Sequence, residues 1–225
     1  MNVSEAVRAR HSVRAFLPTP VAAATVREIL ELAGRAPSGG NLQPWRVHAL
    51  AGAALDELRH TVAARFAAGE RETPRYAVYP ERLWEPYRSR RFDAGVQRYG
   101  ALGAHNKDPA AHAELSARNH AFFGAPVGLL FFLDRRLGSP QWADLGMYLQ
   151  TVMLLATERG LDTCPQESWS NWPDTVAQFL CVPDELMLFA GMALGYRDPE
   201  HPLNAYRTPR APFADFAELH GFADG

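Results

Sequence analysis

The chain has 225 residues, 47% of them hydrophobic, and its 23 Lys and Arg against 25 Asp and Glu leave a net charge of −2. That is enough apolar material for a sizeable core, and the charge balance gives no reason to expect nucleic acid or an anionic membrane as partner. Cys164 and Cys181 form no CxxC, the eight histidines show no metal spacing, no apolar run could span a bilayer and the opening residues hold no signal core, so a soluble cytoplasmic protein without a metal is expected.

No linker rich in Gly, Ser or charge divides the chain, so residues 1–225 are read as a single domain. Asn2 to Ala9 predicts a short helix that delivers Arg10-His-Ser-Val-Arg-Ala-Phe16. If that segment is extended, period-two geometry puts Arg10, Ser12 and Arg14 on one face and His11, Val13 and Ala15 on the other. Two guanidiniums flanking a hydroxyl make a phosphate clamp; a solvated basic turn is the plainer alternative. Thr19-Pro20 predicts a cap and first-turn proline for a helix with Val26, Ile29, Leu30 and Ala33 on one stripe, stopped by Gly34. Arg35 to Trp45 follows, with two prolines and the adjacent Gly39 and Gly40, which can take positive φ or let a ligand approach closely. Ser38, Asn41 and Gln43 offer polar groups beside that backbone, although a polar helix-to-strand connection would look the same. Arg46 to Leu50 alternates as a strand, and Leu55, Leu58, Val62 and Phe66 mark a second amphipathic helix.

From Ala67 to Leu115 the periodicity loosens. Trp84, Tyr87 and Phe92 sit among arginines, and Gly95, Gly100 and Gly103 are expected to interrupt any long helix. Exposed aromatics suit a lid over a planar aromatic substrate, and equally suit an excursion pinned to the body or to a second subunit. Pro126 to Leu133 reads as a strand buried on both faces. Ser139-Pro140 predicts the start of the longest helix, Gln141 to Arg159, whose apolar residues fall all round the cylinder. Such a helix is central, either within a monomer or shared with a second subunit. After Cys164-Pro-Gln-Glu-Ser-Trp169, where Glu167 and Ser168 could cap a helix near Pro173 to Leu180, Leu186 to Leu194 makes another buried strand. The tail from Tyr196 is rich in proline, and Phe213, Phe216 and Phe222 need somewhere to bury, which suits a docked arm wrapped over another protomer.

Two of these stretches together resemble the nitroreductase family of FMN-dependent oxidoreductases. They are the Arg-x-Ser-x-Arg-x-Phe segment at Arg10, Ser12, Arg14 and Phe16, and the loop Ala36-Pro37-Ser38 to Asn41, Gln43, Pro44 and Trp45. Asp144-Leu-Gly-Met147, Gly160-Leu161 and the strand from Gly191 to Gly195 extend the similarity, which covers residues 1–65 and 120–215. The resemblance implies an α+β sandwich, with a mostly antiparallel central sheet surrounded by helices. It also implies a variable lid at about 67–117 and an arm at about 197–225 exchanged in a homodimer. It implies FMN as cofactor, held by Arg10, His11, Ser12, Arg14, Pro37, Ser38, Gly39, Asn41, Gln43, Pro165, Gln166, Glu167, Ser168, Arg207 and Arg210. In this reading His11 faces away from the phosphate. The backbone N–H groups of Glu167 and Ser168 meet the flavin N5 edge, with serine where the family usually has glycine. Arg210-Ala-Pro212 matches the family's phosphate-binding Arg-x-Pro better than Arg207 does. Trp84 and Tyr87 become candidate substrate contacts.

The implied activity is hydride transfer from NADH or NADPH through flavin N5 to nitroaromatic, quinone or similar flat acceptors, by ping-pong turnover, with no side-chain nucleophile. Flavin destruction, reductive dehalogenation and non-catalytic flavin binding remain the alternatives.

Overall fold

The computed structural model describes residues 1–222; the last three residues of the expected arm lie outside them. Four strands, β1 (Arg46–Ala51), β2 (Val127–Asp134), β3 (Asp162–Gln166) and β4 (Leu186–Gly195), form one antiparallel sheet in the order β1-β2-β4-β3. β2 is apolar without a period because both of its faces are covered. Leu130 and Phe132 enter one core cluster, while Leu129, Phe131 and Leu133 enter the other.

Helices α1 (Val3–Ala9), α2 (Ala23–Ala33), α3 (Gly52–Ala67), α4 (Tyr87–Gly100), α5 (Pro109–His120), α6 (Ser139–Glu158) and α7 (Pro173–Leu180) surround the sheet. The stripe Leu55, Leu58 and Val62 of α3, with Leu115 of α5 and Val176 of α7, packs on one sheet face. Val26, Ile29 and Ala33 of α2 and the apolar residues of α6 cover the other. Both predicted cap residues were misplaced. α2 starts at Ala23, after Ala22 and without a side-chain cap, and α6 starts at Ser139 itself, where Gln141 accepts from the Gly138 N–H at 3.3 Å.

α6 is not buried on every side. Leu145, Tyr148, Val152 and Ala156 are buried, but Met147 is 40% exposed and Gly146 and Gln150 face outward. α1 packs on the same helix and leaves Val3 and Val7 exposed as well. The tail is also open, with Phe213, Phe216 and Phe222 all exposed.

The excursion divides into unequal parts. Its start is tied down by Glu72, which accepts from the first-turn N–H groups of Asp174 (2.7 Å) and Thr175 (3.1 Å) at the head of α7. Tyr76 stacks on Phe189 and donates its hydroxyl proton to the Phe189 carbonyl. Its end, α5, buries Ala111 and Leu115 and belongs to the body. The glycines did not break the middle: α4 runs through Gly95 to Gly100, with none of its residues buried. An exposed helix can absorb a glycine at a cost of about 1 kcal/mol.

The turn Glu167–Asn171 is held by Trp169, which is fully buried, stacks on Phe122 at 4.3 Å and fills a slot above Gly191 of β4. A Cβ on Gly191 would lie 2.8 Å from Trp169 Cγ. Gly191→Ala should therefore displace the indole and cost about 1–3 kcal/mol, read as a lower urea midpoint; unchanged stability would mean that the ring has room. A second prediction concerns His120, whose Nε2 accepts from Trp172 Nε1–H at 3.3 Å. Burial, assisted by the charge of Arg71, pushes its pKa down to about 4 from 6.5. Below pH 6.5 only the unfolded chain takes the proton, so stability is lost as pH falls toward 4. Between pH 7 and pH 5 the loss should be about 2 kcal/mol. In paired urea titrations His120→Gln should flatten this slope, and parallel slopes would remove His120 as the cause.

Candidate functional site

The arginine segment emerges from α1 and is laid against the outer edge of β3. Ser12 bridges Thr163, and the Val13 N–H donates to the Thr163 carbonyl at 3.0 Å. Val13 and Ala15 turn inward and are buried. The tail locks the segment from its other side. Asn204 accepts from the Arg14 N–H and donates to the Ala15 carbonyl, both at 2.8 Å. Arg197 grips Asp162 of β3 through two parallel bonds of 2.8 and 2.7 Å, a bidentate pair whose carboxylate is almost wholly buried.

These ties assemble a cavity of about 400 Å³ whose wall carries six guanidiniums, from Arg8, Arg10, Arg14, Arg98, Arg207 and Arg210, together with Ser12, Gln150 and Tyr206. The wall contains no carboxylate, and none of the six arginines makes a salt bridge among the described residues. Burial, followed by the positive charges of Arg210 and Arg207, holds Arg10 below its ordinary pKa. Charges gathered this way lack an anion, and a phosphomonoester of matching size would supply one.

His11 departs from the expected alternation. Arg10 caps the C-terminus of α1, and pairing with β3 begins only at the Ser12 bridge. His11 therefore lines the cavity, with Nδ1 3.4 Å from the Arg207 guanidinium, and burial lowers its pKa. The two tail arginines differ. Arg207 donates to the Arg8 and Ala9 carbonyls at 2.8 and 2.9 Å, closing the C-terminus of α1. Among the described residues Arg210 bonds only to its neighbours Thr208 and Pro209.

The loop after α2 forms a tight turn, Gly39–Asn41. Gly40 takes φ 57°, as a glycine can, but Gly39 does not; the other left-handed residues are Asn41 (56°) and Gln43 (48°). The Gly39 N–H meets both carboxylate oxygens of Asp144 on α6 at 3.2 Å, and Ser38 Oγ accepts from the Gln43 N–H at 3.0 Å. Within one chain this loop does not line the arginine cavity. Pro37, Ser38, Gly39, Asn41 and Gln43 are thus not brought together with Arg10, Ser12 and Arg14.

Pro165 and Gln166 end β3, and Glu167 and Ser168 open the following turn rather than capping α7. The Gln166 side chain is committed to Asn119, reaching its backbone and side-chain oxygens at 2.6 Å. Trp84 and Tyr87 stand edge to face at 5.5 Å in the wall of a larger cavity, about 1290 Å³, lined by residues of the excursion from Tyr79 to His112.

Sequence reading missed Arg8, Arg98, Gln150 and Tyr206. Arg98 lies in the stretch without periodicity, and nothing local distinguishes it from the other arginines of α4. Asp162, Arg197 and Asn204, which hold the frame, carry no motif. Among the described residues no cluster could hold a metal, and no helix is long and apolar enough to cross a membrane.

Comparison with known proteins gives a consistent answer. The nitroreductase family model matches residues 7–196. The chain is 38% identical over 216 residues to a 4-nitrobenzoate reductase of Pseudomonas putida, covering 96% of this chain and 94% of that one. It is 37% identical over 215 residues to a chloronitrobenzene nitroreductase of Comamonas testosteroni, covering 95% of each. The fold matches the FMN and NADPH-dependent nitroreductase NfnB of Sphigopyxis sp. strain HMH with a TM-score of 0.95 at 42% identity, covering 99% of this chain and 100% of that one. It also matches the FMN-dependent nitroreductase NfnB of Mycobacterium smegmatis, solved with NADPH, at a TM-score of 0.91 and 32% identity, covering 97% and 100%. On the family match along most of its length and on these full-length similarities, the chain belongs to the nitroreductase family.

Proposed function

We propose that this protein is an FMN-dependent, NAD(P)H-driven nitroreductase acting on flat nitroaromatic acceptors. The observation that carries the reading is the cavity of six guanidiniums without a carboxylate, set beside the arginine segment. It fits a phosphate monoester, and the FMN dependence of the two NfnB proteins makes that phosphate FMN's. Arg10, Arg14 and Arg210 hold the phosphate, Ser12 adds its hydroxyl, and His11 forms wall beside it. Arg207 is the weaker candidate because it closes α1. The turn at Glu167 and Ser168, reached through Pro165 and Gln166, presents backbone N–H groups to the flavin edge, and Trp169 above Gly191 keeps that turn in place.

Bound there, FMN supplies hydride transfer from nicotinamide to acceptor in two alternating half-reactions. Trp84 and Tyr87 offer ring faces to a flat acceptor, and nitro groups on the acceptor suit the reductases named for nitrobenzoate and chloronitrobenzene. The NADPH of the M. smegmatis complex supports NADPH as donor.

A homodimer completes the site. Ser38 to Gln43 lie apart from the phosphate cavity in one chain, yet both regions border α6, at Asp144 and Gln150, six residues or roughly 9 Å apart along its axis. The uncovered Met147, Val3, Val7 and Leu42, and the bare aromatic tail, are surface for a second copy, which brings its own loop to the flavin.

The purified protein should be yellow, bleach anaerobically with NADPH and recover its colour on adding 4-nitrobenzoate; a protein that neither is yellow nor takes up FMN refutes the reading. Arg10→Ala with Arg210→Ala should weaken FMN retention by at least a hundredfold, since each guanidinium contributes a charge-assisted bond. FMN titration by flavin fluorescence measures this, and wild-type affinity would remove both residues from the phosphate. The protein should sediment as a dimer, and Met147→Glu on the uncovered stripe of α6 should shift it toward monomer. A dimer indifferent to that charge would place the interface elsewhere.

A further inference from the structure

Five of the six cavity arginines come from the N-terminal segment and the tail. The sixth, Arg98, comes from α4 in the excursion, and it lines both the 400 Å³ arginine cavity and the 1290 Å³ cavity that holds Trp84 and Tyr87. α4 has little else to hold it. None of its residues is buried, and its apolar attachment is confined to the C-terminal end, where Tyr99 and Leu102 lean on the core and Tyr99 stacks on His112 at 4.5 Å. Beside that anchor, Arg98 Nε and Gln97 Oε1 are buried without a hydrogen-bond partner among the described residues. Its charge acts on the buried Cys164 thiol: burial pushes that thiol up, and the charges of Arg14, Arg98 and Arg10 oppose the shift. Arg98 is thus seated among like charges with a donor unspent, an arrangement that is unfavourable until an anion arrives.

We propose that Arg98 is a cofactor-phosphate ligand carried by the lid, so that binding of the phosphate seats α4 and closes the wall between the cofactor cavity and the acceptor cavity. This rests on the FMN reading above. The phosphate draws Arg98 in and offsets the repulsion from Arg10 and Arg14, and α4 then packs by its Tyr99 end. By linkage, whatever the phosphate gains from Arg98 it returns as stability of the seated excursion. A cofactor lacking the phosphate would occupy the ring site and leave the lid loose.

Riboflavin, which is FMN without its phosphate, separates the two ideas. Flavin affinity is measured by fluorescence quenching, and amide exchange across residues 79–106 by mass spectrometry, for the wild-type protein, Arg98→Met and Arg98→Lys. The wild-type protein should bind FMN far more tightly than riboflavin, and only FMN should slow exchange in the excursion. Arg98→Met should lose on the order of tenfold or more in FMN affinity, keep its riboflavin affinity and lose the FMN-dependent protection. Arg98→Lys should recover part of both. If the wild-type protein prefers FMN and Arg98→Met prefers it equally, or if riboflavin protects the excursion as FMN does, Arg98 is not a lid-borne ligand and the phosphate cavity stands without it. If the wild-type protein does not distinguish the two flavins, the phosphate cavity itself is misassigned and this inference falls with it.

Discussion

Six guanidiniums around one small cavity repel each other, and the structure around them is arranged to hold them there. With no carboxylate in the wall, the backbone must fix what charge would scatter. It does so at the outer edge of the sheet, where the Val13 N–H and the Thr163 carbonyl tie the N-terminal segment to β3. The Arg197–Asp162 pair and the three-way clamp of Asn204 fasten the tail across it. Arg207 serves both purposes, bonding to the end of α1 and adding charge to the cavity. The polar frame is therefore distinct from the apolar core, although it depends on the core to hold β3 and β4 still.

The core reaches the turn at Glu167 through Trp169. Trp169 lies flat in the slot left by the missing side chain of Gly191, stacked on Phe122, and the turn that it anchors begins with Glu167 and Ser168. A backbone donor needs only that its peptide plane be held, so a serine where the family usually has glycine does not by itself disturb the arrangement. His120 stands behind the same turn, neutral and buried beside Trp172, so that acid acts on this region from the core side.

The elements legible in the sequence are those whose burial follows a period. The stripe of α3, the two-faced apolar run of β2 and the stops at Gly34 and Gly160 all follow from side-chain spacing. The caps at Thr19 and Ser139 failed because a Ser/Thr-Pro pair permits a helix start without fixing it, and the chain uses nearby backbone instead. His11 failed because alternation begins only where pairing begins. Glycines in the loop were expected to take the strained conformations, yet Asn41 and Gln43 share them with Gly40. Asn tolerates that region through local hydrogen bonding; Gln43 is held there by Ser38 Oγ. Asp162, Arg197 and Asn204 were invisible because their partners lie far away in sequence, and Arg98 because only folding brings it to the cavity.

The body and the excursion are stabilised by different kinds of interaction, and this divides their roles. Around the sheet, positions are set by close packing, which is stiff and tolerates little change. Along 77–106 the chain has aromatic edges, a cation over a ring at Arg91 and Tyr79, and ion pairs of Arg88 with Glu85 and Arg90 with Asp215, all of them exposed. Exposed pairs of this kind contribute about 1 kcal/mol or less each. A segment so held opens at low free-energy cost and takes its position from what it closes upon. The body thus keeps the arginine cavity in fixed geometry, while the aromatic and basic residues of the excursion are not fixed by the core.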